Sequence, residues 1–272
     1  MPDEREAMEL NRLHWDEAVA LHVASDFYDV AAFKAGKSAL TTDELAEVGD
    51  VRGKTLLHLQ CHFGLSTLSW ARAGAIVTGV DFSAAAIDAA RSLAQELGIE
   101  ARFVESNIYD LPANLTGQFD VVFTTLGVLC WLPDVPRWAR IAAAYVKPGG
   151  VFYIMDGHPM FHSIDDEAPP GELRLRYSYF PGQPLTWDDD TGTYADRSAR
   201  LQHHRTVEYQ HSLGEIVTAL ADAGLQLEFL HEFDYSGYAA LPNMVAGDDG
   251  LYRLSGPSVV PFLFSIRAHK PA

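Results

Sequence analysis

The residues best able to do chemistry lie at the ends of short apolar stretches. His58-Leu59-Gln60-Cys61-His62-Phe63-Gly64 carries one such stretch, residues 55–61 (TLLHLQC), into a glycine. About twenty residues after the start of that junction, Asp81 closes a second stretch, residues 75–82 (AIVTGVDF). If both are neighbouring strands of a parallel sheet, their carboxyl ends share the edge where open α/β sheets bind ligands. A carboxylate there can accept both hydroxyls of a ribose; its competing role is to help start the helix after Ser83. The junction is not a G-x-G-x-x-G loop, because only Gly64 is a glycine, and the glycine pattern alone signals nucleotide binding weakly. His158 leaves a fifth stretch at Asp156-Gly157-His158-Pro159, and His211 stands just before Ser212. With an ordinary pKa of about 6.5, imidazole can accept a proton near neutral pH. His158 first and His211 second are therefore candidate acceptor-positioning or catalytic proton-accepting groups. The competing role of each is to hydrogen-bond backbone at a strand or helix end.

The elements that must position these residues alternate. After residues 55–61 comes a helical stretch, 65–73, ending at Gly74, then the strand 75–82 and a helix capped by Ser83 with Ile87, Ala90, Ala94 and Leu97 on one face. Residues 101–107 form a third strand and 119–125 (FDVVFTT) a fourth. Asp134 caps a helix burying Trp138, Ile141, Ala142 and Tyr145, which stops at Lys147-Pro148-Gly149-Gly150 ahead of a fifth strand, 151–156. Apolar strands alternating with amphipathic helices give a doubly wound, mostly parallel sheet covered on both faces. From 158 to 206 the alternation breaks into a stretch rich in Pro, Gly, Asp and Tyr, too long for an ordinary connection. Ser212-Leu213-Gly214-Glu215 matches a capping box, Ile216, Val217, Leu220 and Ala223 share one side, and residues 225–233 and 261–270 close the chain as strands. The organisation expected is an N-terminal helical segment (1–50), an α/β core (51–157), an insertion (158–206) and completion of the core (207–272).

Composition limits the partners. The 272 residues carry 20 Lys and Arg against 37 Asp and Glu, a formal charge of −17. Phosphate binding needs clustered cations, so a nucleic-acid partner is not expected, nor is docking on an anionic membrane. Cys61 and Cys130 are the two cysteines, which is the usage of a reducing compartment. The opening MPDEREAMEL lacks the plan of a signal peptide, and no apolar run reaches the roughly 20 residues of a membrane span. A cytoplasmic protein is expected, and a homodimer is left open. Cys61 reads as a packing residue rather than a nucleophile. His203-His204 and His158…His162 lack a third ligand of convincing spacing, so no metal site is expected. Asp188-Asp189-Asp190 reads as a solvated turn.

Taken in order, the motifs resemble those of class I S-adenosylmethionine-dependent methyltransferases. LLHLQCHFG stands where that family has hhDhGCGxG, GVDFS resembles its second-strand acidic motif, and NIYDLP the turn after its third strand. FDVVFTTLGVLCWLPD resembles its fourth-strand segment, and VKPGGVFYIMD the turn into its fifth. Together they span roughly residues 54–157 and form a specific ordered set. The resemblance implies a seven-stranded Rossmann-like fold with N-terminal helices and an insertion after the fifth strand. It also implies S-adenosylmethionine as methyl donor, S-adenosylhomocysteine as product and a small-molecule acceptor. Two departures stand out: His58 where the family has an acidic residue, and Gln60 and His62 where it has glycines, so the loop must cradle the methionine moiety in a modified way. HLQCHFG resembles a variant form of the first motif within the same superfamily. The cofactor-binding residues implied are Gln60, Cys61, His62 and Gly64 of the first loop, Asp81 for the ribose, and Phe82 and Ile108 flanking the adenine. Asn107 would bond the adenine amino group through its carbonyl oxygen, and Thr125 and Leu126 stand at the end of the fourth strand. Trp15 and Tyr28 belong to an N-terminal segment expected to close over the cofactor, its competing role being a helix packed permanently on the sheet edge. The insertion's aromatics, Phe161, Tyr177, Tyr179, Phe180, Trp187 and Tyr194, suit a planar acceptor or the packing of the insertion itself. Other sulfonium-cofactor chemistry on the same fold and a non-catalytic cofactor-binding module are the competing functions.

Overall fold

The computed structural model describes residues 2–169, 172–190, 192–256 and 259–272. Three helices come first: α1 (Glu4–Ala24), α2 (Val30–Lys34) and α3 (Thr42–Val48). The alternation follows as β1 (Thr55–Leu59), α4 (Leu65–Arg72), β2 (Ile76–Asp81), α5 (Ala84–Leu97), β3 (Arg102–Glu105), α6 (Leu111–Asn114), β4 (Phe119–Thr125), α7 (Val135–Tyr145) and β5 (Val146–Gly157). Beyond it lie β6 (Leu185–Asp188), β7 (Arg205–Glu208), α8 (Leu213–Asp222), β8 (Gln226–Phe233), β9 (Met244–Ala246), β10 (Tyr252–Leu254) and β11 (Leu263–His269).

The main sheet has seven strands in the order β3-β2-β1-β4-β5-β11-β8. Strands β3 to β5 along that order are parallel, and β11 runs antiparallel between β5 and β8. The doubly wound, seven-stranded, mostly parallel architecture is therefore the one expected. Both faces are covered, because alternate residues of each strand enter different cores. Leu57, Leu59, Phe152 and Ile154 pack against Trp138 and Ala142 of α7 and Leu220 of α8. Leu56, Phe123, Tyr153 and Met155 pack against Val48 of α3 and Trp70 of α4. A third cluster joins Phe63 and Leu68 to Ile87 and Ala90 of α5.

Local capping sets most boundaries. Ser83 and Asp134 accept the amides of Ala86 and Arg137 at 3.0 and 2.8 Å and so start α5 and α7. Ser212 accepts the amide of Glu215 at 3.1 Å, but the Glu215 carboxylate turns to His211 Nδ1 at 3.2 Å instead of completing the capping box. The reciprocal box forms at Thr41 and Glu44. β5 begins earlier than expected: the helix stops before Val146, but Val146 already pairs with Phe119, and the ladder shifts register before Val121 meets Val151.

The N-terminal helix is tightly attached. Asn11, fully buried, donates through Nδ2 to the carbonyl of Val207 and accepts the Val207 amide through Oδ1, both at 2.8 Å. Asp16 accepts from Ser83 Oγ at 2.6 Å. β6 of the insertion pairs antiparallel with β7 at its end, and Ile164 of the insertion joins Leu241, Met244 and Phe262 of the C-terminal stretch in a separate small core.

Candidate active site

Three loops converge at the carboxyl ends of β1, β2 and β4. In the first, Gln60, His62 and Gly64 all have positive φ, at 56°, 49° and 82°. The left-handed backbone that glycines would adopt freely is thus kept with side chains at two of the three positions, at a cost of order 1–3 kcal/mol each. Neighbours hold it in place. Gln60 accepts from Trp138 Nε1 at 3.2 Å, and the amides of Cys61 and His62 donate to the Val80 carbonyl and Asp81 Oδ2 at 2.9 and 2.7 Å. A Cβ on Gly64 would stand 2.9 Å from the Phe103 ring and 3.0 Å from Ala90, so this glycine serves both the turn and the packing of α4. Cys61 is buried and burial pushes its thiol well up, which suits a packing residue.

Asp81 is 7% exposed. Besides the His62 amide it accepts the Ser83 amide at 3.0 Å. Burial pushes it up to about 6 in spite of those amides, with Asp16 adding like charge. Next to it lies a cavity of about 730 Å³, lined by Phe82, Ser106 and Asn107 on the sheet side and by Met8, Leu10 and Arg12 of α1 on the other. Asn107 accepts the Tyr109 amide through its carbonyl oxygen at 2.9 Å, the atom expected to meet an adenine amino group; Ile108 is buried beside it.

The β4 loop is shaped by a residue the sequence did not single out. The Asp156 carboxylate accepts the amides of Gly127, Val128, Leu129 and Gly157. Thr125 donates at 2.7 Å to Glu44, a fully buried carboxylate of α3, while Leu126 is 46% exposed with φ 32°. Thr125 is thereby turned toward the N-terminal segment.

Above the first loop lies an aromatic cluster. The Trp15 ring is edge-on to His62 and Trp131 at 5.4 Å and to His22 at 5.7 Å. Tyr28 packs on Phe63 at 4.8 Å and on His22 at 5.2 Å, and its hydroxyl bonds that of Tyr194 from the insertion. The structure therefore brings Trp15 and Tyr28 over His62 and adds His22, Trp131 and Tyr194. One signal for His22 was available: Ala7, Asn11, Ala18 and His22 recur at helical spacing and are all buried. The other insertion aromatics pack among themselves, Tyr177 on Trp187 and Tyr179 on Phe180, or on Phe262 in the case of Phe161.

His158 and His211 both reach this edge of the sheet, but protein groups engage both rings. His158 Nδ1 accepts the Met160 amide and Nε2 donates to Glu232, each at 2.9 Å. Burial lowers its basicity, opposed by Glu232. His211 Nε2 donates to the Leu132 carbonyl at 2.8 Å and Nδ1 faces Glu215. His203 and His204 pair with Glu17 and Asp188; among the described residues no three His, Cys, Asp or Glu side chains are grouped to hold a metal ion.

A seven-stranded sheet of this order, with a bent loop after β1 and a carboxylate closing β2, defines a nucleoside-binding α/β enzyme class. The comparisons place the chain within it. A methyltransferase-domain family model matches residues 57–154. A ubiquinone biosynthesis O-methyltransferase of Escherichia coli O7:K1 is 38% identical over 176 residues, covering 61% of this chain and 72% of that protein. Among solved structures, an S-adenosylmethionine-dependent methyltransferase from Mesorhizobium loti superposes with a TM-score of 0.59 at 19% identity, over 83% of this chain and 94% of that one. One from Clostridium acetobutylicum gives 0.56 at 13% identity, over 93% and 95%. The chain belongs to the S-adenosylmethionine-dependent methyltransferases.

Proposed function

We propose that this methyltransferase acts on a hydroxyl group of a small planar acceptor. The observation that carries the proposal is the aromatic cluster of Trp15, Trp131 and Tyr194 over the first loop, which offers flat apolar walls where the methyl group would be presented. The likeness to an O-methyltransferase of ubiquinone biosynthesis supports oxygen as the accepting atom.

The site fits the donor. The cavity beside Phe82 and Asn107 would take the adenosine, Asp81 its ribose hydroxyls, and the bent backbone at Gln60, Cys61, His62 and Gly64 the methionine portion. Phe82 and Ile108 would flank the adenine. S-Adenosylmethionine supplies a methyl group already activated on sulfonium sulfur. The remaining work of the protein is to hold the acceptor oxygen in line and keep water away. The described residues of the N-terminal segment and of the insertion would form the cover that excludes solvent, the first fixed by Asn11 and Asp16 and the second contributing Tyr194. His158 and His211, with their nitrogens engaged, would brace the acceptor side through Glu232, Leu132 and Glu215.

The net charge of −17 supports a neutral or cationic acceptor over a nucleic acid. No helix among the described residues is long and apolar enough to cross a membrane, and the unpaired cysteines Cys61 and Cys130 support work in a reducing, cytoplasmic setting.

The test is transfer of labelled methyl from S-adenosylmethionine to a panel of phenols, catechols, amines and thiols, with products assigned by mass. Labelled phenol ethers are expected. Label confined to amines or thiols, or cofactor binding without any transfer, would reject the hydroxyl assignment.

A further inference from the structure

His22 is fully buried on α1. Its Nδ1 lies 2.9 Å from His62 Nε2, yet its Nε2 is a buried nitrogen with no hydrogen-bond partner among the described residues. Buried polar atoms are nearly always bonded, so an unbonded one at a ligand-binding edge points to a missing partner. The rings around it are those of the cluster: Tyr194 at 5.0 Å, Tyr28 at 5.2 Å and Trp15 at 5.7 Å. Tyr194 comes from the insertion and is 40% exposed, so it is the ring of the cluster that stands nearest solvent beside His22. By contrast, His158 and His211 have both nitrogens committed to protein groups. His58, whose Nε2 is also buried and unbonded, sits lower on β1 between Thr67 and the Phe123 ring.

We propose that His22 and His62 form a proton-accepting pair for the acceptor hydroxyl. His22 Nε2 receives the proton, and His62 is the positioning residue that fixes the tautomer of His22. The inference rests on the hydroxyl acceptor argued above. Of the two facing nitrogens one must donate. When Nδ1–H of His22 donates to His62 Nε2, the His22 Nε2 lone pair faces the cluster. In the reaction the acceptor oxygen gains the methyl carbon while the carbon–sulfur bond breaks and its electron pair stays on sulfur. The oxygen's proton moves to His22 Nε2. One positive charge is lost at sulfur and one appears on the imidazole, so the buried site keeps its net charge. Burial, with His14 nearby, keeps His22 unprotonated, pushed down to about 4, and burial likewise lowers His62. Both imidazoles are therefore neutral before the acceptor arrives, and the charge lost at sulfur offsets the cost of the one gained on His22. The other titratable groups facing it are Tyr28, Tyr194 and, behind the His62 amide, Asp81.

The test uses the full chain saturated with S-adenosylhomocysteine and compares phenol with anisole by calorimetry. Phenol can donate to His22 Nε2 and anisole cannot. The wild type is expected to prefer phenol at least tenfold, His22→Phe to lose the preference, and His22→Gln to keep part of it through its amide oxygen. Nitrogen NMR of the labelled imidazoles should show the Nδ1–H tautomer of His22 in the wild type and a mixture of tautomers in His62→Phe. Equal binding of phenol and anisole, failure of both to bind, or a phenol preference surviving in His22→Phe would overturn the pair. So would the Nε2–H tautomer in the wild type. If S-adenosylhomocysteine and phenol bind as expected but label goes only to amines or thiols, the hydroxyl assignment fails instead.

Discussion

The backbone amide of His62 donates to Asp81 Oδ2 at 2.7 Å, so the carboxylate that closes β2 also holds the bent loop after β1. One side chain thereby fixes the conformation of the loop after β1 from the end of the neighbouring strand, one residue before Phe82 of the cavity wall. Asp81 is costly to ionise where it stands, because burial outweighs the amides it accepts.

Asp81→Ala should weaken S-adenosylhomocysteine binding at least tenfold, which corresponds to about 1.4 kcal/mol. In the wild type the affinity should also rise as the pH passes upward through about 6, because it is the ionised form that would accept both ribose hydroxyls. The sign follows from the raised value. The folded protein without ligand holds this proton more tightly than the unfolded chain, and hydroxyl donors favour its release. Calorimetry across that range checks both, and a pH slope that persists in Asp81→Asn would assign it to another group.

Burial pushes His58 down to about 3, while an unfolded histidine titrates near 6.5. The unfolded chain therefore binds more protons between those values. The contribution of neutral His58 to stability is complete above the unfolded value and is lost as the pH falls. Relative to His58→Leu, the wild type should lose about 1.4 kcal/mol per pH unit below pH 6.5. Urea unfolding of both proteins at several pH values measures the difference, and parallel curves would contradict it.

Asn11 bonds the Val207 amide and carbonyl as a strand neighbour would. Asn11→Ala leaves both groups buried without a partner and should cost about 2–3 kcal/mol. Chemical denaturation reads this directly. The same variant should also release α1, detected as faster proteolysis within residues 1–35.

Asp156→Ala removes the acceptor for the amides of Gly127, Val128 and Leu129. A loss of about 3 kcal/mol in stability is expected, with faster amide hydrogen exchange at residues 127–129. Unchanged exchange there would mean that the loop holds its shape without the carboxylate.

Much of the architecture was legible locally. Ser83, Asp134 and Ser212 announced their helices because an N-cap acts within three residues, and β4 at Phe119–Thr125 stood out as an unbroken apolar run. The position of Asp81 followed from the order of strands, and the ordered motifs pointed to the family. What tertiary structure decided depends on groups far apart in the chain. No local pattern places the closing strand antiparallel between β5 and β8, since register is set by what pairs across the sheet. Positive φ at Gln60 and His62 runs against their residue types; it is imposed by Trp138, Val80 and Asp81, which reach the loop only after the sheet has closed. Likewise His158 reads as an available base until Glu232, on a strand two places away in the sheet, engages it. His22 reads as one polar residue in a helix until the fold sets it against His62 and surrounds it with rings. A histidine's type fixes what it can donate or accept, but its burial and partners, set by distant chain segments, decide which nitrogen is left free.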